Sequence, residues 1–315
     1  FKKKMNKKIN MIIGTGVLGA YLSNFLLGRN EKVIVTSRTL KKNTDNYAFL
    51  NINKKIKFVK LNVYNKKEIE RILEKYKPKK VFYFAGQSSI TKSISKKSET
   101  LRSHFEGTKN FLDTIKEKRI NLKFFKANSG YIFSPKKGII NLKCRLSSNK
   151  NPYIDAQQKT FKLIKKYRDQ GLRVFNLIFM QVESPLRPND FFIKKVCIGA
   201  KNKKKIIVGN INTFRDYSWV TEVVKAIVLT SNLKEKDYII SAGKKMSGRT
   251  VLEKAYSLNN LNYINYFSIN KKFFRKKENK FLIGSTKNSY YLKKKFNFNF
   301  KIFGDRLVKE MYKNL

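Results

Sequence analysis

Ile9-Asn10-Met11-Ile12-Ile13-Gly14-Thr15-Gly16-Val17-Leu18-Gly19 sets a G-x-G-x-x-G turn between a run that reads as a strand and one that reads as a helix. In that setting Gly14 permits the tight turn, Gly16 lets backbone approach a pyrophosphate, and Gly19 lets the helix pack close to the strand. The helix start adds N–H groups and a positive dipole end suited to phosphate. Gly14, Gly16, Val17, Leu18 and Gly19 are therefore the expected dinucleotide contacts.

Outward from this turn, Lys8–Ile13, Lys32–Ser37, Ile56–Leu61, Lys80–Ala85, Leu122–Ala127 and Leu172–Met180 read as strands. Val17–Leu27, Lys66–Lys75, Ser98–Lys118 and Tyr153–Arg168 read as helices between them. Such alternation demands an α/β fold, a Rossmann-type doubly wound parallel sheet with helices on both faces. The sheet is expected to be complete at Met180, after a loop at Ser134–Asn151. Short extended pieces follow at Ile206–Val208, Ile239–Ser241 and Phe267–Asn270, in a tail suited to shaping a substrate cleft. The expected division is a dinucleotide-binding domain at 8–181 and 214–242, and a smaller C-terminal substrate-binding lobe at 182–213 and 243–315.

Composition narrows the partners. With 71 Lys+Arg against 21 Asp+Glu the formal charge is +50, which alone would suggest nucleic acid. The lysines are spread over almost every segment instead of one element, so a solvated basic surface is expected and no nucleic-acid partner. Cys144 and Cys197 have no Cys or His nearby at metal-ligand spacing, so no metal site and no disulfide framework is expected, and a reducing cytoplasm fits. Lys2–Lys8 followed by the apolar run to Leu27 has the look of a signal peptide. The glycine offsets and polar Ser23 and Asn24 favour the strand, turn and helix reading. No other apolar run approaches the roughly 20 residues of a membrane helix, so no membrane partner is expected.

Where an acidic residue would hold the adenosine ribose of NAD, the chain has Thr36-Ser37-Arg38. A guanidinium pairs well with a 2′-phosphate, so Arg38 favours NADP over NAD.

Further motifs carry a resemblance: Gly16-Val17-Leu18-Gly19-Ala20-Tyr21-Leu22, Ala85-Gly86-Gln87-Ser88, Glu106-Gly107-Thr108, Ala127-Asn128-Ser129, Pro152-Tyr153, Glu183-Ser184-Pro185-Leu186-Arg187, Gly209-Asn210-Ile211 with Arg215-Asp216-Tyr217, and Ile283-Gly284-Ser285-Thr286-Lys287. In these the chain resembles the extended short-chain dehydrogenase/reductases (the NAD-dependent epimerase/dehydratase family), and within them the GDP-mannose 4,6-dehydratases, over nearly its whole length. The resemblance implies an NADP-dependent lyase that converts GDP-mannose, or a related nucleotide sugar, to its 4-keto-6-deoxy product. It further implies a homodimer or homotetramer. Tyr153 would take the C4 hydroxyl proton, with Ser129 hydrogen-bonded to the same oxygen. It also implies cofactor contacts at Asn62, Val63, Ala85, Gln87, Tyr153 and Gln157. The implied nucleotide-sugar contacts are Ser88, Gln181, Glu183, Arg187, Lys195, Arg215, Arg275 and Glu278.

Three positions depart from the family pattern. Gln157 stands where Y-x-x-x-K has its lysine, and it cannot lower the tyrosine pKa by charge. Lys159 lies roughly 200° round the helix from Gln157, too far to replace it directly. Tyr131 stands for the glutamate that promotes elimination, and His104 for a helix asparagine. These changes are expected to weaken dehydration. The alternatives are a 4-keto sugar-nucleotide reductase or epimerase, which needs no elimination acid, and a non-catalytic nucleotide-sugar-binding homologue.

Overall fold

The computed structural model describes residues 8–39, 45–149, 151–274 and 279–315. Its main sheet has strands β1 (Ile9–Ile13), β2 (Lys32–Ser37), β3 (Lys57–Lys60), β4 (Lys80–Tyr83), β5 (Lys123–Ser129) and β6 (Val174–Phe179). A seventh strand, Asp237–Ile240, lies outside β6, giving the order (237–240)-β6-β5-β4-β1-β2-β3. The sheet thus extends one strand past the expected end at Met180. β1 pairs in parallel with both β2 and β4, so the strand order reverses between β1 and β4. Ligands of open α/β sheets bind at such a switch point, beyond the carboxyl ends of the strands.

The apolar runs are buried on both faces, as a helix-covered parallel sheet requires. On one face Phe82, Phe125 and Phe175 stack with ring centroids 4.7 and 4.4 Å apart. On the other, Tyr83, Phe111 and Phe124 meet the helices. Those helices are α1 (Val17–Gly28), α2 (Lys66–Tyr76), α3 (Gly107–Glu117) and α4 (Pro152–Asp169).

The long helix expected over Ser98–Lys118 is interrupted. Helix Lys97–Leu101 passes into a π turn, Arg102–Glu106, before α3. Two hydroxyls occupy carbonyls there: Tyr83 Oη donates to Ser103 O at 2.7 Å, and Thr108 Oγ1 to His104 O at 2.6 Å. Competition of this kind loosens a regular ladder, and π turns of this sort often mark functional sites.

The chain separates into two compact units, one reaching Ile132 with Leu146–Ile178 and Thr230–Tyr238, the other Phe133–Arg145, Phe179–Leu229 and Ile239–Leu315. Residues 133–145 and 214–229 thus group with the second unit, where the sequence reading placed them in the first. The pairings give the reason: Ile139–Ile140 joins strand Phe281–Gly284, and Phe214–Trp219 pairs with Gln181–Glu183, Lys245–Ser247 and Phe281–Gly284. Around these strands, helices Phe192–Lys201, Gly248–Ser257 and Gly304–Lys313 close the second core.

Candidate active site

The glycine turn builds a cradle. Gly14 has φ +106°, and its N–H donates to Thr36 O at 3.0 Å. A Cβ on Gly14 would lie 2.9 Å from Ala85 N, and one on Gly19 2.5 Å from Gly14 O. Around Gly16, by contrast, a Cβ would meet nothing within 4 Å, so the backbone at the start of α1 faces open space. Gly16 caps α1 without a side-chain hydrogen bond, and no acidic residue stands in the first turn. The first N–H groups of α1 are thus left for an anion.

Gly14, Gly16, Arg38, Val63, Ala85 and Gln87 are among the residues lining a cleft of about 300 Å³. Val17, Leu18, Gly19 and Asn62 stand off this lining: Gly19 packs α1 on β1, and Asn62 Oδ1 accepts from Tyr64 N at 3.1 Å. Arg38, half exposed, ion-pairs with Glu99 at 2.9 Å. That bond holds the Glu99 carboxyl below its ordinary range and raises the guanidinium. Sequence reasoning missed Glu99, since no local pattern links residues 61 apart.

At the other end of the sheet edge, Asn128 ties β5 to α4. Its Oδ1 accepts from Ser129 N at 2.8 Å and its Nδ2 donates to Gln157 O at 3.2 Å. Ser129 Oγ accepts from Tyr131 N at 3.2 Å, which fixes the serine in the short turn after β5. Pro152 opens α4, and Asn151 caps it by accepting from Tyr153 N at 2.9 Å. Tyr153 and Gln157 follow one turn apart, both buried. Lys159 ion-pairs with Asp155 at 3.0 Å on the exposed side of α4, so it does not take the place of Gln157.

His104, in the π turn, stands edge-on to Tyr153 with ring centroids 5.6 Å apart. Gly86, at φ +137°, lets this ring in, because a Cβ there would fall 2.3 Å from His104 Cε1. Burial, with the charge of Lys126, pulls His104 down to about 3, so the ring is neutral. Its Nε2 lies 2.8 Å from Gln87 O, which can only accept; Nε2 therefore carries the proton and Nδ1 is the acceptor. Gln157 Nε2 donates to that Nδ1 at 3.4 Å, and Gln157 Oε1 is left buried without a partner among the described residues. The Gln87 carboxamide bonds both main-chain groups of Ser89, beside exposed Ser88. Lys126, on β5, was also missed by the sequence reading. Its signal was a lysine inside a strand buried on both faces.

In the second unit Gln181 and Glu183 lie on a strand beside Tyr217–Trp219. Glu183 is buried with Oε2 unpartnered among the described residues, and burial raises its carboxyl to about 7 despite Arg187. The Arg187 guanidinium lies over the Phe191 ring at 3.5 Å. Lys195 Nζ donates to Ile207 O at 2.7 Å, and Arg215 Nη1 to Phe214 O and Asn279 O at 2.8 and 3.1 Å. Both of these expected nucleotide-sugar contacts thus also bond backbone carbonyls. Arg275 and Glu278 lie outside the described residues. Because the folded Glu183 keeps its proton above the ordinary 4.5, its contribution is full below that pH and is lost as pH rises through about 7. Glu183→Gln, a neutral isostere, should flatten that fall in a melting-temperature profile; an unchanged slope would assign it to other groups.

Among the described residues, no helix is long and apolar enough to cross a membrane, and no cluster of three His, Cys, Asp or Glu side chains could hold a metal. The family model for GDP-mannose 4,6 dehydratase matches residues 12–311. GDP-mannose 4,6 dehydratase 1 of Arabidopsis thaliana is 25% identical, over 97% of this chain and 89% of its own. Two solved structures share the fold. UDP-glucuronic acid 4-epimerase from Bacillus cereus, in complex with UDP-glucuronic acid and NAD, superimposes with TM-score 0.84 at 16% identity, covering 97% of this chain and 98% of its own. For dTDP-glucose 4,6-dehydratase from Bacillus anthracis, in complex with NAD, the TM-score is 0.82 at 18% identity, with 97% and 96% covered.

Proposed function

This chain belongs to the GDP-mannose 4,6 dehydratase family, and from that premise we propose that it is an enzyme acting on GDP-mannose with a nicotinamide dinucleotide, its hydride-transfer half better kept than its elimination half. The Asn128 bridge carries this reading, because it joins Ser129 to the turn of α4 that holds Tyr153 and Gln157.

A dinucleotide fits the residues present. The open backbone at Gly16 suits a pyrophosphate, and Gln157 Oε1, without a donor among the described residues, suits the hydroxyl of a ribose. When bound, the group supplies acceptance and return of a hydride. NADP is the preferred form, since Arg38 at the cleft can pair with a 2′-phosphate. The NAD found with the two fold neighbours belongs to those proteins.

Tyr153 Oη takes the proton of the sugar C4 hydroxyl, and Ser129 Oγ hydrogen-bonds the same oxygen as charge builds on it. Tyr131 handles the C5 proton. A phenol matches the carboxylate it replaces in neither chemistry nor geometry, so elimination is the slow step. Within the second unit, Gln181, Glu183 and Arg187 are the proposed nucleotide-sugar contacts. A 4-keto sugar-nucleotide reductase or epimerase is the second reading, favoured by Tyr131 in place of a carboxylate.

Incubation with GDP-mannose and NADP, followed by mass spectrometry, is expected to show a product lighter by one water, formed slowly. No such product at high protein concentration would remove the dehydratase assignment.

A further inference from the structure

Glu99 is the group at the cofactor cleft that the proposed chemistry leaves unused. Among the described residues it is the only carboxylate lining this cleft, which is also lined by Gly14, Gly16, Arg38 and Lys96. A dinucleotide brings negative charge to such a cleft, so a carboxylate on its wall opposes binding unless it meets a group that donates to it. The hydrogen bond from Arg38 holds the Glu99 carboxyl below its ordinary range, so it is charged at neutral pH.

Its placement supplies the donor. β2 ends at Ser37, and Arg38 follows it directly. In a sheet of this kind the end of β2 meets the 2′ position of the adenosine ribose, where an acid suits NAD and an arginine suits NADP. Both side chains are present here. Helix Lys97–Leu101 brings Glu99 to Arg38, with Oε1 2.9 Å from Nη2, and Lys96 Nζ stands 3.6 Å from Oε2. One carboxylate thus serves two cations. The other guanidinium nearby, Arg102, lies over the Tyr64 ring at 4.2 Å and pairs with Glu106 at 3.2 Å, so its charge is already matched.

We propose that Glu99 is a specificity-determining residue for the dinucleotide: it supplies from another element the acid missing at the end of β2, accepting from the 2′-hydroxyl of NAD and opposing the 2′-phosphate of NADP. The inference rests on the reading of this cleft as a dinucleotide site with Arg38 at the 2′ position. A 2′-phosphate carries about two negative charges and must take Arg38 from Glu99 while the carboxylate stays beside it. A 2′-hydroxyl meets the carboxylate as a donor and leaves the ion pair intact. The preference that Arg38 gives to NADP is therefore modest, and NAD is bound as well.

The test titrates reduced NADP and reduced NAD into the protein without substrate, followed by the fluorescence of the dinucleotide, so it needs no turnover. Glu99→Gln keeps the length of the side chain and removes its charge, and because the ion pair is solvent-exposed the variant is expected to melt with the parent. The ratio of the NAD to the NADP dissociation constant should rise by about tenfold in Glu99→Gln, with NADP bound more tightly. In Arg38→Met, NADP should lose its advantage. An unchanged ratio in Glu99→Gln, or weaker NADP binding, as would follow if Glu99 served only to hold Arg38 in place, overturns this inference alone. An unchanged ratio in Arg38→Met overturns the reading of Arg38, and a parent protein that binds neither dinucleotide overturns the reading of the cleft; either result takes this inference with it.

Discussion

Tyr153→Phe should lower the rate of GDP-mannose oxidation by about a hundredfold to ten-thousandfold while leaving dinucleotide affinity nearly unchanged. The phenol is the group proposed to take the C4 proton, and its ring stands at the start of α4, edge-on to His104. Phenylalanine preserves that edge contact and the helix cap at Asn151, so the loss is chemical, not structural. Circular dichroism and a dinucleotide titration separate the two. A variant that folds, binds and still turns over at the parental rate would move the base elsewhere.

Gly14→Val is the second large effect, and it falls on folding as well as binding. A β-branched side chain at φ +106° costs about 1–2 kcal/mol in backbone conformation. Its Cβ would also lie 2.9 Å from Ala85 N, a backbone atom that cannot swing aside; overpacking of that kind costs about 1–3 kcal/mol more. The melting temperature should fall by roughly 3–8 °C, and dinucleotide binding should be lost. Gly28→Ala, at a helix end where a Cβ meets nothing within 4 Å, is the matched control and should change neither. Equal behaviour of the two variants would mean that the β1–α1 turn is not the cradle.

The sequence was informative where its signals are local. The glycine offsets located the β1–α1 turn, and all six expected strands begin within two residues of where they are found. Lys159, judged to lie on the wrong side of its helix, does lie there, held by Asp155. What stayed hidden depends on contacts far apart in the chain. The π turn keeps the apolar spacing of a helix, so nothing in Ser98–Lys118 announces that Tyr83 and Thr108 take its carbonyls. Arg38 reads as a lone cation until Glu99 is found beside it. Lys126 reads as one more lysine in a lysine-rich chain, and only burial sets it apart. Ile239–Ser241 was read as a short extended piece after the sheet, since two β-branched residues do not reveal that strand Asp237–Ile240 pairs at its edge.

The difference between a dehydratase and a reductase or epimerase lies in where the hydride returns. GDP-mannose carrying deuterium at C4, incubated with the protein and NADP, tests this most directly when the label is located by mass spectrometry and NMR. A water-loss product with the deuterium at C6 is the predicted result. Deuterium that stays at C4 of a sugar that has lost no water would contradict it.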